Sequence, residues 1–489
     1  MSRSLSALRH RQQGIGRLRL LLVVGILVLL TFVIWGLREA HILASVGSAN
    51  KGKLLCSAVF VSGRAPGAVL DAELGGGALD QVSVSIDPKT GRTTTALFWV
   101  RADSLHRPGL GCTRVVGTDV NALHGQIDLD RLPAAPDLAE RPWPTGDGPT
   151  AASLPEFDPT ALEALLDLAF ASAVEVATGT RALAIAWQGQ IIAERYAPGF
   201  ERHTPVTGWS MTKSVTNALI GLRVGDGVLS LHDPAPVPEW QGRDDPRRHI
   251  TLDQLLRASS GLEFAEVYGS LKSDAVQMLF GPHGGDMGGF AASKPLIAEP
   301  DTLWNYSSGT TNLLQRVLRD SFDSLEDYHS YVRERLLYPI GMTRTTIASD
   351  ASGTLVGSSF GYATARDWLR FGLLFLNDGV WEGERLLPED WVAYSVTPTL
   401  ADPMGRYGAQ WWLNAGPSDR PEARPWPRLP RDAYRASGFE GQYLTVVPSH
   451  DLVVIRLGYT PDRSRWAMDE FVADVMAAID AGTSGAEMN

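Results

Sequence analysis

The hydrophobic pattern of the chain begins with a long apolar run. Residues 20–37 carry no charge, and at 1.5 Å per residue they form about 27 Å of helix, close to the thickness of a bilayer core. Before this run stand arginines without any acidic residue, namely Arg3, Arg9, Arg11, Arg17 and Arg19. The positive-inside rule therefore predicts a cytoplasmic basic tail over 1–19 and a transmembrane helix over 20–37, with the rest of the chain exported.

A cleaved signal peptide is the alternative explanation of this segment. The apolar run is long for a signal peptide, and the small-residue stretch at 44–49 makes a poor cleavage site, so the pattern favours an uncleaved anchor. We therefore expect a single-pass protein of the inner (cytoplasmic) membrane, with its body on the periplasmic or extracytoplasmic side.

Residues 41–135 show a second pattern, in which apolar and polar residues alternate between glycines and prolines. The alternation at 57–62, 81–86 and 94–100 predicts short strands, and hence a small β-rich module. The only cysteines of the chain, Cys56 and Cys112, fall in this region. In an oxidising compartment such a pair is expected to form a disulfide, and two buried thiols are the alternative.

A segment rich in Pro, Gly, Asp and Ala at 136–154 has the composition of a linker, and a larger domain is predicted beyond it, over 155–482. The middle of this domain has few strand signals and is expected to be helical. Its two ends are predicted to hold a helix at 162–170, hairpins at 182–196 and 443–457, and a closing amphipathic helix at 471–479.

Composition and charge narrow the range of functions. With 44% hydrophobic and 20% charged residues the chain is globular in composition, and its net charge of −11 argues against nucleic acid as a partner. The ten histidines are scattered, and neither H-E-x-x-H nor C-x-x-C occurs. We therefore expect no metal site and no cofactor.

The strongest chemical signal is Ser210-Met-Thr-Lys213 at the start of an apolar run. On a helix, positions three apart share a face with Cβ atoms about 5–6 Å apart, so the lysine amine can reach the serine hydroxyl. An amine whose pKa is lowered by burial can take the hydroxyl proton and turn the serine into a nucleophile. Taken alone, the motif is equally consistent with a helix start that carries a solvated lysine.

Two further elements follow in the chain: Tyr306-Ser-Ser308 and Ala436-Ser-Gly438. The order S-x-x-K, Y-x-[NS], x-[ST]-G resembles the serine β-lactamase and penicillin-binding-protein superfamily. Order and spacing resemble the branch with class C β-lactamases, D-alanyl-D-alanine carboxypeptidases, family VIII carboxylesterases and 6-aminohexanoate-dimer hydrolases. The resemblance covers 155–482 and implies an α+β fold, in which an antiparallel sheet built from the first and last segments is flanked by helices and joined to a mostly helical subdomain.

The resemblance also implies roles for individual residues. Ser210 would form an acyl-enzyme, Lys213 would act as the base, and Tyr306 would pass the proton to the leaving group. The backbone N–H groups of Ser210 and Phe439 would form the oxyanion hole, and Gly438 would allow the close backbone approach that this requires. A buried aromatic residue with a satisfied hydroxyl is the alternative for Tyr306.

Two departures from the superfamily bear on the substrate. Ser308 replaces the common asparagine, and Ala436 stands where β-lactamases and carboxypeptidases often carry Lys or His to hold a carboxylate. This favours a small-molecule ester, amide or peptide-like substrate without an obligatory carboxylate beside the scissile bond. Tyr268 lies in a segment that resembles the substrate-contacting loop of the oligoamide hydrolases, and a loop aromatic packed on the surface is the alternative reading for it.

The expected function is therefore that of a membrane-anchored serine hydrolase acting on esters or amides. Carboxypeptidase or β-lactamase activity is the alternative, and a catalytically silent wall-binding relative is another. A competing motif, Gly357-Ser-Ser359-Phe-Gly361, matches the nucleophile elbow of α/β-hydrolases, but no clear strand precedes it and no helix follows it directly. We therefore expect Ser359 to lie in a turn near the site.

Overall fold

A computed structural model describes residues 2–148, 157, 159–171 and 178–486. The predicted linker at 136–154 and the start of the predicted domain at 155 lie partly outside these residues, and the domain boundaries stay predictions. The helices, numbered in chain order, are α1 Ser2–Phe60, α2 Pro66–Ala72, α3 Val120–His124, α4 Pro159–Ala169, α5 Thr212–Gly225, α6 Leu252–Leu256, α7 Asp274–Phe280, α8 Met287–Ala292, α9 Ser308–Asp320, α10 Leu325–Val332, α11 Ala365–Leu376, α12 Trp391–Ser395 and α13 Met468–Ala486.

The strands form antiparallel sheets whose members come from distant parts of the chain. They are β1 Ser83–Asp87, β2 Arg92–Leu97, β3 Val100–Arg107, β4 Gly111–Arg114, β5 Thr180–Trp187, β6 Gln190–Tyr196, β7 Val206–Thr207, β8 Thr346–Ile347, β9 Gly361–Ala363, β10 Val380–Trp381, β11 Glu384–Arg385, β12 Trp412–Leu413, β13 Tyr434–Gly438, β14 Gln442–Val447 and β15 Leu452–Gly458. The largest sheet has the order β12-β13-β14-β15-β5-β6, and a separate N-terminal sheet has the order β1-β2-β3-β4.

The six-stranded sheet joins the two ends of the predicted domain, as expected, because β15 pairs antiparallel with β5. Alternate residues of β5 face opposite layers. Ala182, Ala184 and Ala186 pack in the core shared with α11, whereas Leu183 and Ile185 pack in the core shared with α4 and α13. Burial on both faces explains why every residue of β5 is buried. The predicted α+β class is confirmed.

The chain between β7 and β8 is helical, with α5 to α10 in succession. This helical part packs beside the sheet, and the start of α5 meets strand β13 at the junction. The turn that carries Ser210 therefore lies where the sheet and the helical part meet.

Helix α1 contains the apolar run that was expected to be helical, and it contradicts one predicted strand. The apolar run at 20–37 is helical and unburied, with the length and composition that a membrane span needs; a signal sequence near the N-terminus has the same properties. The predicted strand at 57–62 is wrong, because α1 continues to Phe60. Four consecutive residues, Leu55 to Ala58, are buried there. The alternation of apolar and polar residues in the sequence therefore does not correspond to one buried and one exposed face.

The segment around α1 and the first sheet is joined internally and to the rest of the protein. The expected disulfide links Cys56 of α1 to Cys112 of β4. From the same sheet, the Arg107 guanidinium donates a hydrogen bond of 2.8 Å to the Ser349 hydroxyl, and the buried Arg114 donates to the Leu279 carbonyl at 3.1 Å. These buried polar contacts fix the N-terminal sheet against the predicted hydrolase domain.

Lys53 of α1 makes a contact with the predicted hydrolase domain that the sequence analysis did not anticipate. Its side chain is 1% exposed, its Nζ lies 4.2 Å from the centroid of the Phe360 ring, and it donates a hydrogen bond of 3.1 Å to the Ser57 hydroxyl. Burial, with a smaller contribution from Arg114, lowers the pKa of Lys53 to about 7. A group whose folded pKa lies below its unfolded value of 10.5 binds fewer protons in the folded state between these two limits.

This difference predicts a pH dependence of stability. The unfolded chain binds the extra proton, so the stability of the wild-type protein should rise between pH 7 and pH 10. The Lys53→Met variant lacks this contribution, so its stability relative to wild type should fall by at least ~1 kcal/mol over that range. Thermal unfolding of the full-length protein in detergent, followed by tryptophan fluorescence, measures the difference. Lys89→Met, at an exposed lysine, is the matched control. A constant difference for Lys53→Met would contradict the assignment.

Candidate active site

Ser210 lies on a tight turn that precedes helix α5. Residues 209–211 form a single 3₁₀ turn, and α5 begins at Thr212, so Ser210 and Lys213 are held in one continuous helical segment. Trp209, next to the serine, has a φ of 47°, a left-handed conformation that is costly for a bulky residue. Such a conformation persists only where the surroundings impose it.

The surroundings of Trp209 supply that constraint. Its indole N–H donates a hydrogen bond of 3.3 Å to Glu440, and its ring packs edge-on against Phe439 at 5.7 Å and obliquely against Phe360 at 6.1 Å. The ring is 4% exposed. Packing on the Trp209 side chain therefore determines the direction in which the following residue, Ser210, presents its hydroxyl.

The Lys213 amine is surrounded by three oxygen acceptors. Its Nζ lies 3.0 Å from the Ser210 hydroxyl, 2.9 Å from the Ser308 hydroxyl and 3.0 Å from the Ser358 carbonyl. The side chain is 2% exposed, and burial lowers its pKa from 10.5 to about 8, while the nearby Glu266 carboxylate raises it. The spacing argument thus placed the serine and lysine correctly, and the amine is closer to neutrality at pH 7 than a solvated lysine.

Glu266 is a site residue that the sequence analysis missed. Its carboxylate accepts hydrogen bonds from the Ser308 backbone N–H at 2.8 Å, from the Ser308 hydroxyl at 2.5 Å and from the Tyr268 hydroxyl at 2.8 Å. It lies two residues before Tyr268 in the same segment, which was the available signal. A carboxylate has no proton to donate, so it forces the Ser308 hydroxyl to donate its own.

This forced direction has a consequence for the lysine. With its proton committed to Glu266, the Ser308 hydroxyl can only accept from Lys213, and the Ser358 carbonyl is also an acceptor. A neutral amine has two N–H donors and one lone pair. Both donors are then used, and the lone pair is directed at the Ser210 hydroxyl, as a general base requires.

Tyr306 lies on the other side of the lysine. Its ring centroid is 4.9 Å from the Lys213 Nζ, so the amine lies against the aromatic ring. The ring packs edge-on against Tyr407 at 5.6 Å and lies 5.1 Å from Trp412. These aromatic neighbours hold the ring half-buried beside the predicted nucleophile and base.

The third predicted element directly contacts the segment that carries Ser210. A Cβ atom at Gly438 would overlap the carbonyl oxygen of Gly208, so only glycine permits this approach of β13 to the turn. The next residue, Phe439, packs its ring against Trp209. The backbone of Phe439 is thereby brought beside the turn of Ser210, where the oxyanion hole was expected.

Two further residues from the sequence analysis, Tyr268 and Ser359, lie in different surroundings. The Tyr268 ring stacks on Phe439 at 5.1 Å, at the edge of the site, and burial raises its pKa well above 10. Ser359 is 1% exposed and its hydroxyl is 2.9 Å from that of Ser358. It lies in a turn beside the site, as expected, and the segment contributes the Ser358 carbonyl to Lys213.

Comparison with known proteins identifies the family of the chain. Residues 170–475 match the family model described as Beta-lactamase. Protein Rv1367c of Mycobacterium tuberculosis is 28% identical over 328 residues, covering 52% of this chain and 77% of that protein. A 6-aminohexanoate-dimer hydrolase of Paenarthrobacter ureafaciens is 23% identical over 337 residues, covering 62% of this chain and 80% of that enzyme.

Solved structures show the same fold. A putative 6-aminohexanoate-dimer hydrolase from Bacillus anthracis has a TM-score of 0.52 and 21% identity, covering 73% of this chain and 90% of its own. A family VIII carboxylesterase has a TM-score of 0.50 and 16% identity, covering 67% and 98%. These likenesses are to the fold, and the family model matches more than half of the chain. The predicted superfamily is therefore confirmed: the protein belongs to the beta-lactamase family of hydrolases.

Proposed function

We propose that the protein is a membrane-anchored serine hydrolase that cleaves esters or amides through an acyl-enzyme. The observation that carries the proposal is the 3.0 Å contact between the Ser210 hydroxyl and the buried Lys213 amine, whose pKa is lowered to about 8. A nucleophile beside a base of suitable pKa is what acyl transfer requires.

The reaction follows from the positions of these groups. The Ser210 oxygen attacks the substrate carbonyl as Lys213 accepts its proton, and the backbone N–H groups of Ser210 and Phe439 stabilise the resulting oxyanion. Tyr306 gives its phenol proton to the leaving group as the carbonyl–leaving-group bond breaks, and the Lys213 ammonium replaces that proton. Water then attacks the acyl-enzyme, which releases the acid and returns the proton to Ser210.

The surroundings of Ala436 support esters and amides without a required carboxylate. Ala436 is 1% exposed and offers no cation, and the neighbouring Arg435 places its guanidinium carbon 3.9 Å from the Trp426 ring centroid. Burial against such rings lowers the pKa of Arg435 to about 10. The Arg435 guanidinium therefore packs on aromatic rings and is not available to bind a substrate carboxylate. We expect neither β-lactams nor D-alanyl-D-alanine peptides to be preferred substrates.

The nucleophile is tested by substitution. Ser210→Ala should abolish ester hydrolysis and labelling by a fluorophosphonate, because the acyl-enzyme cannot form. The matched control is Ser359→Ala, which removes the hydroxyl of the competing motif and should keep activity. The wild-type protein should also turn over short-chain p-nitrophenyl esters far faster than nitrocefin. Loss of activity in Ser359→Ala with retention in Ser210→Ala would reverse the assignment.

The base is tested by pH. Lys213 must be neutral to accept the proton, so kcat/KM should rise with pH through an inflection near 8. The Glu266 carboxylate favours the ammonium, so the Glu266→Gln variant should shift the inflection to lower pH. Ester hydrolysis followed by pH-stat from pH 6 to 10 measures both curves. A profile without an inflection, or a shift to higher pH in the variant, would rule out this role for Lys213.

The membrane topology is tested with reporters. Alkaline phosphatase fused after residue 45 should be active, because the arginines before the apolar run keep the N-terminus in the cytoplasm. Green fluorescent protein fused at the same junction should not fluoresce, because it does not become fluorescent when it is exported through the Sec machinery. Fluorescence with inactive phosphatase would place the domain in the cytoplasm.

A further inference from the structure

An apolar cavity of about 400 Å³ lies between helix α1 and the hydrolase domain. One wall comes from α1, with Leu43, Val46, Gly47 and Leu54. The opposite wall includes Phe280 of the helical part. The volume falls within the range of ordinary small-molecule sites, which are roughly 300–1,000 Å³.

One end of the cavity adjoins the active site. Its wall there is made by the aromatic rings of Trp209, Tyr268 and Phe439. Trp209 immediately precedes the nucleophile Ser210, and Phe439 is the predicted oxyanion-hole residue. An apolar group that fills this end therefore lies against the residue before Ser210 and against the predicted oxyanion-hole residue.

The wall also holds charged residues, and these are paired with one another. The Glu73 carboxylate accepts a contact of 2.5 Å from Arg64 and a second contact from Arg181. Glu440 receives the indole N–H of Trp209, and burial raises its pKa to about 7. Because these charged groups have partners, an apolar occupant does not have to displace water from an unpaired charge.

The other end of the cavity points toward the membrane. Leu43 lies six residues beyond Leu37, the last residue of the apolar run, and hence about 9 Å along the same helix. Leu271 lines the cavity at this end and is 39% exposed. The next residue, Lys272, forms an ion pair of 2.6 Å with Glu39 of α1. Glu39 is two residues from the apolar run, so the loop of Leu271 is held at the membrane surface.

A second feature lies at the same level. Phe98 and Trp99, at the tip of the β2–β3 hairpin, are 67% and 60% exposed. The Trp99 indole N–H donates a hydrogen bond of 3.3 Å to His41, four residues beyond Leu37. Aromatic residues concentrate at membrane interfaces, where their apolar rings lie among the headgroups. These two rings thus indicate that the outer end of the cavity faces the bilayer.

We propose that the cavity binds the hydrocarbon chain of a membrane lipid whose ester or amide carbonyl is cleaved at Ser210. The proposal rests on the serine hydrolase function above and names its substrate class. The chain enters from the bilayer beside Leu43 and Leu271 and ends against Trp209 and Phe439. Hydrolysis adds water across the acyl bond, and it releases a carboxylic acid and the alcohol or amine of the remainder.

Gly47 provides a direct test. It lines the cavity on α1, and a Cβ at this position meets no atom within 4 Å, so a larger side chain extends into the space. Gly67, on α2, also has no atom within 4 Å of a Cβ and lies outside the cavity wall. Gly47→Leu and Gly67→Leu are therefore the same substitution, on helices, inside and outside the cavity.

The experiment compares ethyl and dodecyl fluorophosphonates as labels of Ser210 in the full-length protein, reconstituted in phosphatidylcholine vesicles. Wild type should react at least ~tenfold faster with the dodecyl label, because the buried methylene groups stabilise the complex. Gly47→Leu should lower the ratio of dodecyl to ethyl rates by ~tenfold, and Gly67→Leu should leave it unchanged. The dodecyl label should also react faster from the protein's own vesicles than from separate ones.

The outcomes separate the two proposals. Equal rates for the two labels in wild type, or an unchanged ratio in Gly47→Leu, would overturn the lipid-chain cavity while the serine hydrolase function stands. Failure of the ethyl label to react with wild type would remove both. If Gly47→Leu fails to fold, the Gly47→Ala variant replaces it, with a smaller decrease of the same ratio expected.

Discussion

The arrangement of the site depends on the hydrogen bonds of the buried Lys213 amine. An ammonium removed from water is costly unless oxygen acceptors replace its hydration. Those acceptors come from three separate parts of the chain: the turn of Ser210, the start of α9 at Ser308 and the loop of Ser358. One side chain therefore requires three elements to meet. Glu266 fixes the direction of the Ser308 hydrogen bond, which leaves the lone pair of the deprotonated amine for Ser210.

The sequence predicted the parts of the site that are local. Ser210 and Lys213 are three residues apart on one helical segment, so their contact follows from helix geometry alone. The partnership of Glu266 with Ser308 depends on how a loop packs against α9, and no periodicity records it. The hairpin of β5 and β6 was also predictable, because Gln188 and Gly189 stand between two apolar runs as a two-residue turn. In the structure both residues adopt the positive φ that such a turn requires.

Helix α1 shows why the N-terminal segment was harder to predict. Residues 57–62 alternate like a strand, yet the helix there is enclosed by the first sheet on one side and by the hydrolase domain on another. A helix buried on several faces loses the one-sided pattern that distinguishes it from a strand. The disulfide between Cys56 and Cys112 could be expected from composition because it required only an oxidising compartment and a single pair.

Packing connects α1 to the turn of Ser210. Lys53 of α1 lies over the Phe360 ring, Phe360 packs against Trp209, and Trp209 immediately precedes Ser210 in its left-handed conformation. Removing α1 would expose these rings and remove one wall of the cavity beside them. The helix is thus part of the body that positions Ser210. Since α1 runs without a break from the apolar segment to Phe60, it also joins that segment directly to the body that carries Ser210.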